Sequence, residues 1–221
     1  MHPPHEEQAS AGPWLKVQDL VLARQERVLN RPLSFWADAG DAIHIVGRNG
    51  CGKTTLLETL ATLRPAYTGR VLWHGQMVKT WGDELRGLWH YCGHADALKR
   101  EWTLGEHLAW QIRLSGQRPD PQTISSALTE MALTSALDVP IGQLSKGQQR
   151  RVALLRLRFL KRPVWLLDEP FSALDAQGAK SLVAWVDAHV RQAGLVIFTT
   201  HQDYPDLAQP PRQIVLAGGG A

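Results

Sequence analysis

An α/β fold built on a parallel sheet is predicted by three features of this 221-residue sequence. Short apolar runs at 42–46, 164–167 and 195–200 are separated by helical stretches, the pattern of strands buried on both faces. A glycine-rich loop stands directly between the first of these runs and a helix. A stretch from about 81 to 160 reads mostly as helix and interrupts the alternation, which predicts an inserted helical subdomain.

In chain order, residues 1–13 are polar and proline-containing and read as a disordered lead, so structure is expected from Trp14. Residues 15–22 and 33–36 read as short strands joined by a polar turn. Gly40-Asp41 then turns the chain into the buried strand 42–46. The helix after the glycine-rich loop runs over 53–63 and is stopped by Pro65, and 69–73 reads as a further strand. The helical stretch is broken at 116–121 and near Pro140. Beyond it come the strand 164–167, an amphipathic helix over 177–192 and the strand 195–200. One folded unit over 14–216 is expected, with 217–221 as a flexible tail.

Composition narrows the function less than the motifs do. A formal net charge of +3 is too small to argue for nucleic acid as a partner. Two cysteines, Cys51 and Cys92, make no disulfide framework and suit a reducing compartment. No apolar run approaches the ~18 residues of a membrane span, and the opening residues have neither the basic nor the apolar region of a signal peptide. Any membrane role is therefore expected to run through a partner, with the cytoplasm as the default location.

Gly47-Arg48-Asn49-Gly50-Cys51-Gly52-Lys53-Thr54 fits G-x-x-x-x-G-K-[ST] between a strand and a helix, the setting that motif requires. Its glycines let consecutive backbone N–H groups turn toward phosphate oxygens, and the helix adds the positive end of its dipole. Lys53 is expected to reach the β- and γ-phosphates, Thr54 to offer its hydroxyl to Mg²⁺, and Thr55 to complete the loop's hold on ATP. Cys51 reads as a small residue that the loop tolerates.

The strand 164–167 delivers Asp168 and Glu169 at its C-terminal end, where open α/β sheets bind ligands. Beside a phosphate loop, a division of labour is expected: Asp168 for the Mg²⁺ shell, Glu169 to polarise the water that attacks the γ-phosphate. Standing alone, such a pair would read as a solvated strand end. His201, after the strand 195–200, can reach the γ-phosphate or the water; alone it would read as a loop histidine.

Leu144-Ser145-Lys146-Gly147-Gln148-Gln149-Arg150-Arg151-Val152 resembles the signature of the ABC ATPases, Leu-Ser-Gly-Gly-Gln followed by a basic helix. Ser172-Ala173-Leu174-Asp175 resembles that family's D-loop, and His201 its switch histidine. The resemblance runs from about Leu15 to Leu216. It implies a P-loop NTPase core of ABC ATPase type with an antiparallel β subdomain and an inserted helical subdomain. It also implies a head-to-tail homodimer, in which Ser145, Lys146, Gly147 and Gln148 bind the γ-phosphate of ATP held by the other subunit. Lys146 departs from the signature glycine and adds a positive charge where a phosphate is expected. Counting from neighbouring motifs, Arg24 takes the place of the aromatic residue on which the family stacks adenine, and a guanidinium can stack in its stead. His94 takes the place of the glutamine that senses Mg²⁺ and contacts the membrane subunit, which leaves its metal ligation doubtful. The alternating His90, Cys92 and His94 would share a strand face, and structural uses are the favoured reading over haem or metal.

Within the family, Gly93-His94-Ala95-Asp96-Ala97-Leu98-Lys99, the run Gly147 to Leu154, Leu167-Asp168-Glu169-Pro170-Phe171 and Thr199-Thr200-His201-Gln202 are similar to the ATP-binding subunits of bacterial cytochrome c maturation systems, the haem exporters. That similarity implies a permease partner in the inner membrane, further maturation subunits, a location on the cytoplasmic face and release of a haem-loaded chaperone. The alternatives are an ABC transporter for another substrate and a soluble ABC ATPase acting on nucleic acid or ribosomes.

Overall fold

Successive residues of the central strands face two different cores. The computed structural model describes residues 14–25, 27–78, 87–93 and 96–219; the polar lead, the first residues of the helical stretch, His94 and the end of the tail lie outside them. On strand β9 (Val164–Asp168), Val164 and Leu166 enter one hydrophobic cluster while Trp165 and Leu167 enter the other. On β10 (Leu195–Thr199), Leu195 and Ile197 share the first cluster while Val196 and Phe198 share the second. All ten residues of these two strands are buried, which is why both read as unbroken apolar runs and not as alternating ones.

Five parallel strands make the main sheet, in the order β11-β5-β10-β9-β8. The flanking members are β5 (Ala42–Val46), β8 (Trp89–Cys92) and β11 (Arg212–Val215). One face carries helix α1 (Lys53–Leu60) and a four-stranded antiparallel sheet, order β4-β1-β6-β7, formed by Leu33–Ala37, Leu15–Val21, Thr68–Trp73 and Gln76–Met77. A two-stranded hairpin, β2 (Ala23–Arg24) with β3 (Arg27–Val28), projects beside it. The other face carries α4 (Lys146–Phe159) and α5 (Ala176–Arg191).

The helical insertion holds α2 (Leu104–Ser115) and α3 (Pro121–Glu130), followed by short 3-10 turns at Thr134–Ala136 and Ile141–Gln143. Its helix starts are written in the sequence. Thr103 and Glu106 close a capping box, with Glu106 N–H donating to Thr103 Oγ1 at 3.1 Å and Thr103 N–H to Glu106 Oε2 at 2.8 Å. Asp120 caps α3 ahead of Pro121. The stretch read as mostly helical also contains β8, which pairs with β9 and extends the sheet. Among the described residues no helix is long and apolar enough to cross a membrane.

His90, on β8, is 6% exposed and joins the strand to the end of α4 through Nε2, 3.0 Å from the Leu160 carbonyl oxygen. Cys92 lies 3.4 Å from an Arg156 amino group. Both residues have structural partners. Burial holds the His90 imidazole down at about 3, below its ordinary value near 6.5. A histidine neutral in the fold and protonated in the unfolded chain stabilises fully above pH 6.5, and that stability drains as pH falls toward 3. At pH 5 the loss from this residue is roughly 2 kcal/mol. The melting temperature is expected to drop between pH 7.5 and 5, and His90→Gln to flatten the slope; equal slopes in both proteins would assign the acid sensitivity elsewhere.

Candidate functional site

The C-terminal ends of β5, β8, β9 and β10 open at one edge of the sheet, and each delivers a chemically distinct group there. From β5 comes the phosphate loop. Gly47 is required by close approach: a Cβ on it would lie 2.7 Å from both Cys51 Sγ and the Leu216 carbonyl oxygen. Gly52 caps α1 with φ 103°, a left-handed conformation that disfavours side chains. Arg48, Asn49 and Gly50 are exposed at the tip, whereas Cys51 is buried beneath it and Thr55 is buried in α1. Lys53, 8% exposed, donates from Nζ to the Gly47 carbonyl at 2.8 Å and lies 3.4 Å from that of Arg48. An ammonium held inside the curl of a glycine loop is placed to meet anionic oxygen.

From β9 come the carboxylates. Asp168 is 2% exposed and accepts two hydroxyls, Thr54 on Oδ2 and Thr199 on Oδ1, each at 2.8 Å. Thr54 Oγ1 and Asp168 Oδ2 thus set two hard oxygen donors beside the phosphate loop, a pair suited to Mg²⁺. Among the described residues no three or more His, Cys, Asp or Glu side chains converge for a metal. An ion here would complete its shell with phosphate and water, as Mg²⁺ does. Glu169 sits at φ 49°, a left-handed conformation costly for a non-glycine residue and frequent at functional sites. Its N–H donates to Thr199 Oγ1 at 3.0 Å, and its carboxylate accepts the His201 N–H at 3.1 Å. His201 Nε2 lies 3.3 Å from Glu169 Oε1. The strand order accounts for this meeting: β10 lies between β5 and β9, and Thr199 is in register with both Asp168 and Ile45.

The signature resemblance falls at the start of α4. Ser145 caps the helix in a box with Gln148, accepting the Gln148 N–H at 3.2 Å and donating its own N–H to Gln148 Oε1 at 2.9 Å. Lys146 is exposed at the first helical position, and a Cβ on Gly147 would lie 2.8 Å from the Ala173 carbonyl oxygen. Residues 145–148 and 172–175 therefore form one surface. Arg151 reinforces it with an ion pair to Asp175 at 2.5 Å. The Gly178 N–H and then the Arg151 guanidinium hold the Asp175 carboxyl below the usual carboxylate range.

Arg24 lies on β2, exposed. Its hairpin is rooted on the phosphate loop, since Leu22 and Leu29, which flank it, are the residues a Cβ on Gly52 would touch. Asn30, 1% exposed, fastens that root by accepting the Leu22 N–H and donating to the Leu20 and Arg31 carbonyls. The fold thus gathers 47–55, Asp168, Glu169 and His201 around one sheet edge, with Arg24 on the hairpin rooted beside Gly52 and 145–148 on the surface shared with 172–175. His94 lies outside the described residues.

One residue of the site was not among those singled out by its sequence. Arg150 reads as part of an arginine-rich outer face of α4, yet it is 4% exposed. Its Nη2 donates to the carbonyls of both Asp168 and Glu169 at 2.8 Å, and its Nη1 to the Gly93 carbonyl at 3.0 Å and Asp96 Oδ1 at 2.7 Å. The available signal is the apolar run directly behind it, Val152 to Leu155, which marks α4 as buried on most sides.

Comparison with known proteins places the chain in a family. The family model described as ABC transporter matches residues 30–172. The chain is 43% identical over 189 residues to the cytochrome c biogenesis ATP-binding export protein CcmA of Vibrio cholerae serotype O1, covering 86% of this chain and 91% of that protein. It is 41% identical over 207 residues to CcmA 1 of Salmonella typhimurium, covering 94% and 98%. Among solved structures, an ABC transporter ATP-binding protein from Pyrococcus furiosus superposes with a TM-score of 0.76 at 22% identity, covering 91% of this chain and 96% of that one. A bacterial ABC transporter cassette solved as a dimer superposes at 0.73 and 20% identity, covering 85% and 88%. These last two establish likeness of fold.

Proposed function

Since the chain belongs to the ABC transporter family and is an ATP-hydrolysing enzyme of it, we propose that it is the ATPase subunit of a cytochrome c maturation, or haem export, complex. The observation that carries this reading is the 41% identity over 207 residues to a protein named for cytochrome c biogenesis and export. In this reading Gly47 to Thr55 hold the phosphates, with Lys53 on the β- and γ-phosphates, while Arg24 stacks on the base. Thr54 and Asp168 would hold Mg²⁺, which would supply neutralisation of phosphate charge. Glu169 orients a water and draws its proton as the water oxygen attacks the γ-phosphorus; the bond to the ADP oxygen breaks and phosphate departs. His201 steadies Glu169 and the γ-phosphate. Ser145 to Gln148 close over nucleotide held by a second copy, so ATP binding joins two chains and hydrolysis lets them part. That cycle drives a permease in the inner membrane from its cytoplasmic face and releases a haem-loaded chaperone.

Affinity capture of the tagged chain from detergent-solubilised membranes, beside capture from a ribosome fraction, tests the partnership. An integral membrane permease together with cytochrome c maturation subunits is expected in the first and nothing specific in the second. A permease of another transport system would remove the cytochrome c assignment, and stoichiometric capture of ribosomes would overturn the transport reading.

A further inference from the structure

A strand presents successive carbonyls to opposite edges, so two consecutive carbonyls do not ordinarily share one donor. At the end of β9 they do. The left-handed turn at Glu169, φ 49°, swings its carbonyl to the side of Asp168's, and one amino group of Arg150 donates to both at 2.8 Å. The other amino group holds the Gly93 carbonyl and the Asp96 carboxylate in the loop after β8. A planar guanidinium cannot shift at one end without shifting at the other. It is buried, and among the described residues Asp96 is the one anionic partner it has and its Nε has no hydrogen-bond partner. A charge kept in so dry a place is costly unless its hydrogen bonds repay it.

We infer that Arg150 is a positioning residue for hydrolysis: through its two-carbonyl grip it holds Glu169 in the left-handed turn that aims the carboxylate, and through its other amino group it ties that aim to Gly93 and Asp96. The same residue belongs to α4, whose cap and first turn carry Ser145 to Gln148, so the aim of Glu169 also follows the seating of that helix. The inference rests on the reading of Glu169 as the group that polarises water.

Arg150→Lys keeps the charge and loses the fork, and Asp96→Ala removes the anchor from the less buried side. For both, steady-state hydrolysis by the full chain and binding of a fluorescent ATP analogue are measured, with melting temperature as a check on folding. The expected result is a fall in kcat of about tenfold or more for Arg150→Lys and a smaller fall for Asp96→Ala, with nucleotide affinity within about twofold of the parent. In a Glu169→Gln background neither change is expected to lower the residual rate further, because there is no aimed carboxylate left to misplace. Unchanged kcat in both variants overturns the inference, and so does a parallel loss of affinity and kcat, which is what a merely structural role produces. Should Arg150→Lys fail to fold, Asp96→Ala decides alone. Glu169→Gln by itself separates the two levels: if it hydrolyses ATP at the parent rate, the reading of Glu169 fails, whereas a dead Glu169→Gln beside a fully active Arg150→Lys removes the positioning role only.

Discussion

Glu169→Gln is expected to keep ATP binding, lose nearly all turnover and accumulate an ATP-bound dimer. The substitution leaves the shape of the site in place. A glutamine amide oxygen can still accept the His201 N–H that the carboxylate accepts at 3.1 Å, and neither the bond from Arg150 to the Glu169 carbonyl nor the bond from the Glu169 N–H to Thr199 Oγ1 involves a side-chain atom of residue 169. What disappears is a group able to take a proton. General-base contributions are typically about 10²- to 10⁴-fold, so the loss should exceed a hundredfold in kcat at unchanged affinity. Lys53→Ala should fail earlier, at binding, since its ammonium is the cation held within the phosphate loop. Single-turnover hydrolysis and size-exclusion chromatography with ATP measure the two outcomes. Turnover within a few fold of the parent would remove Glu169 from the role.

Ser145→Arg paired with Lys53→Ala should restore in a mixture what each variant lacks alone. The contacts of the phosphate loop are made to Leu22, Leu29, Asp168 and Leu216, while Ser145 to Gln148 pack with Ala173 on another surface. Two chains related head to tail would bring each loop to the other's 145–148 surface and give two identical sites. In a mixed dimer both lesions then fall in one site and the other site is intact. With random pairing and independent sites, about a quarter of the parent activity is expected at equal concentrations. Mixed dimers that demonstrably form yet stay inactive would mean obligatory coupling or no composite site. A Ser145→Arg monomer that is fully active alone would rule the composite site out.

How far the sequence could be read depended on what surrounds each segment. β9 and β10 were legible because both their faces are buried and no polar residue breaks the run. The phosphate loop and the Asp168-Glu169 pair were legible because phosphate and metal demand particular atoms at fixed spacing. β8 was not: Trp-His-Tyr-Cys has no period, and its place is fixed by β9 alongside. β11 and the β2–β3 hairpin were also missed, being short, largely exposed and held by pairing partners far away in sequence or by Asn30. The inward turn of Arg150 was not legible, since an arginine-rich helix reads as solvated until both layers around it are known.

The neighbours of β5 carry a consequence for synthesis. Among the described residues the strand that ends in the phosphate loop pairs with β10 and β11, and Gly47 is closed over by Leu216, so residues 42–54 leave the ribosome some 140 to 170 positions ahead of these segments. Through that interval the loop has its glycines and its lysine but no sheet to set their spacing. A nascent chain should therefore gain no grip on nucleotide as residues 42–54 emerge, and should gain it in a single late step once 195–216 are out.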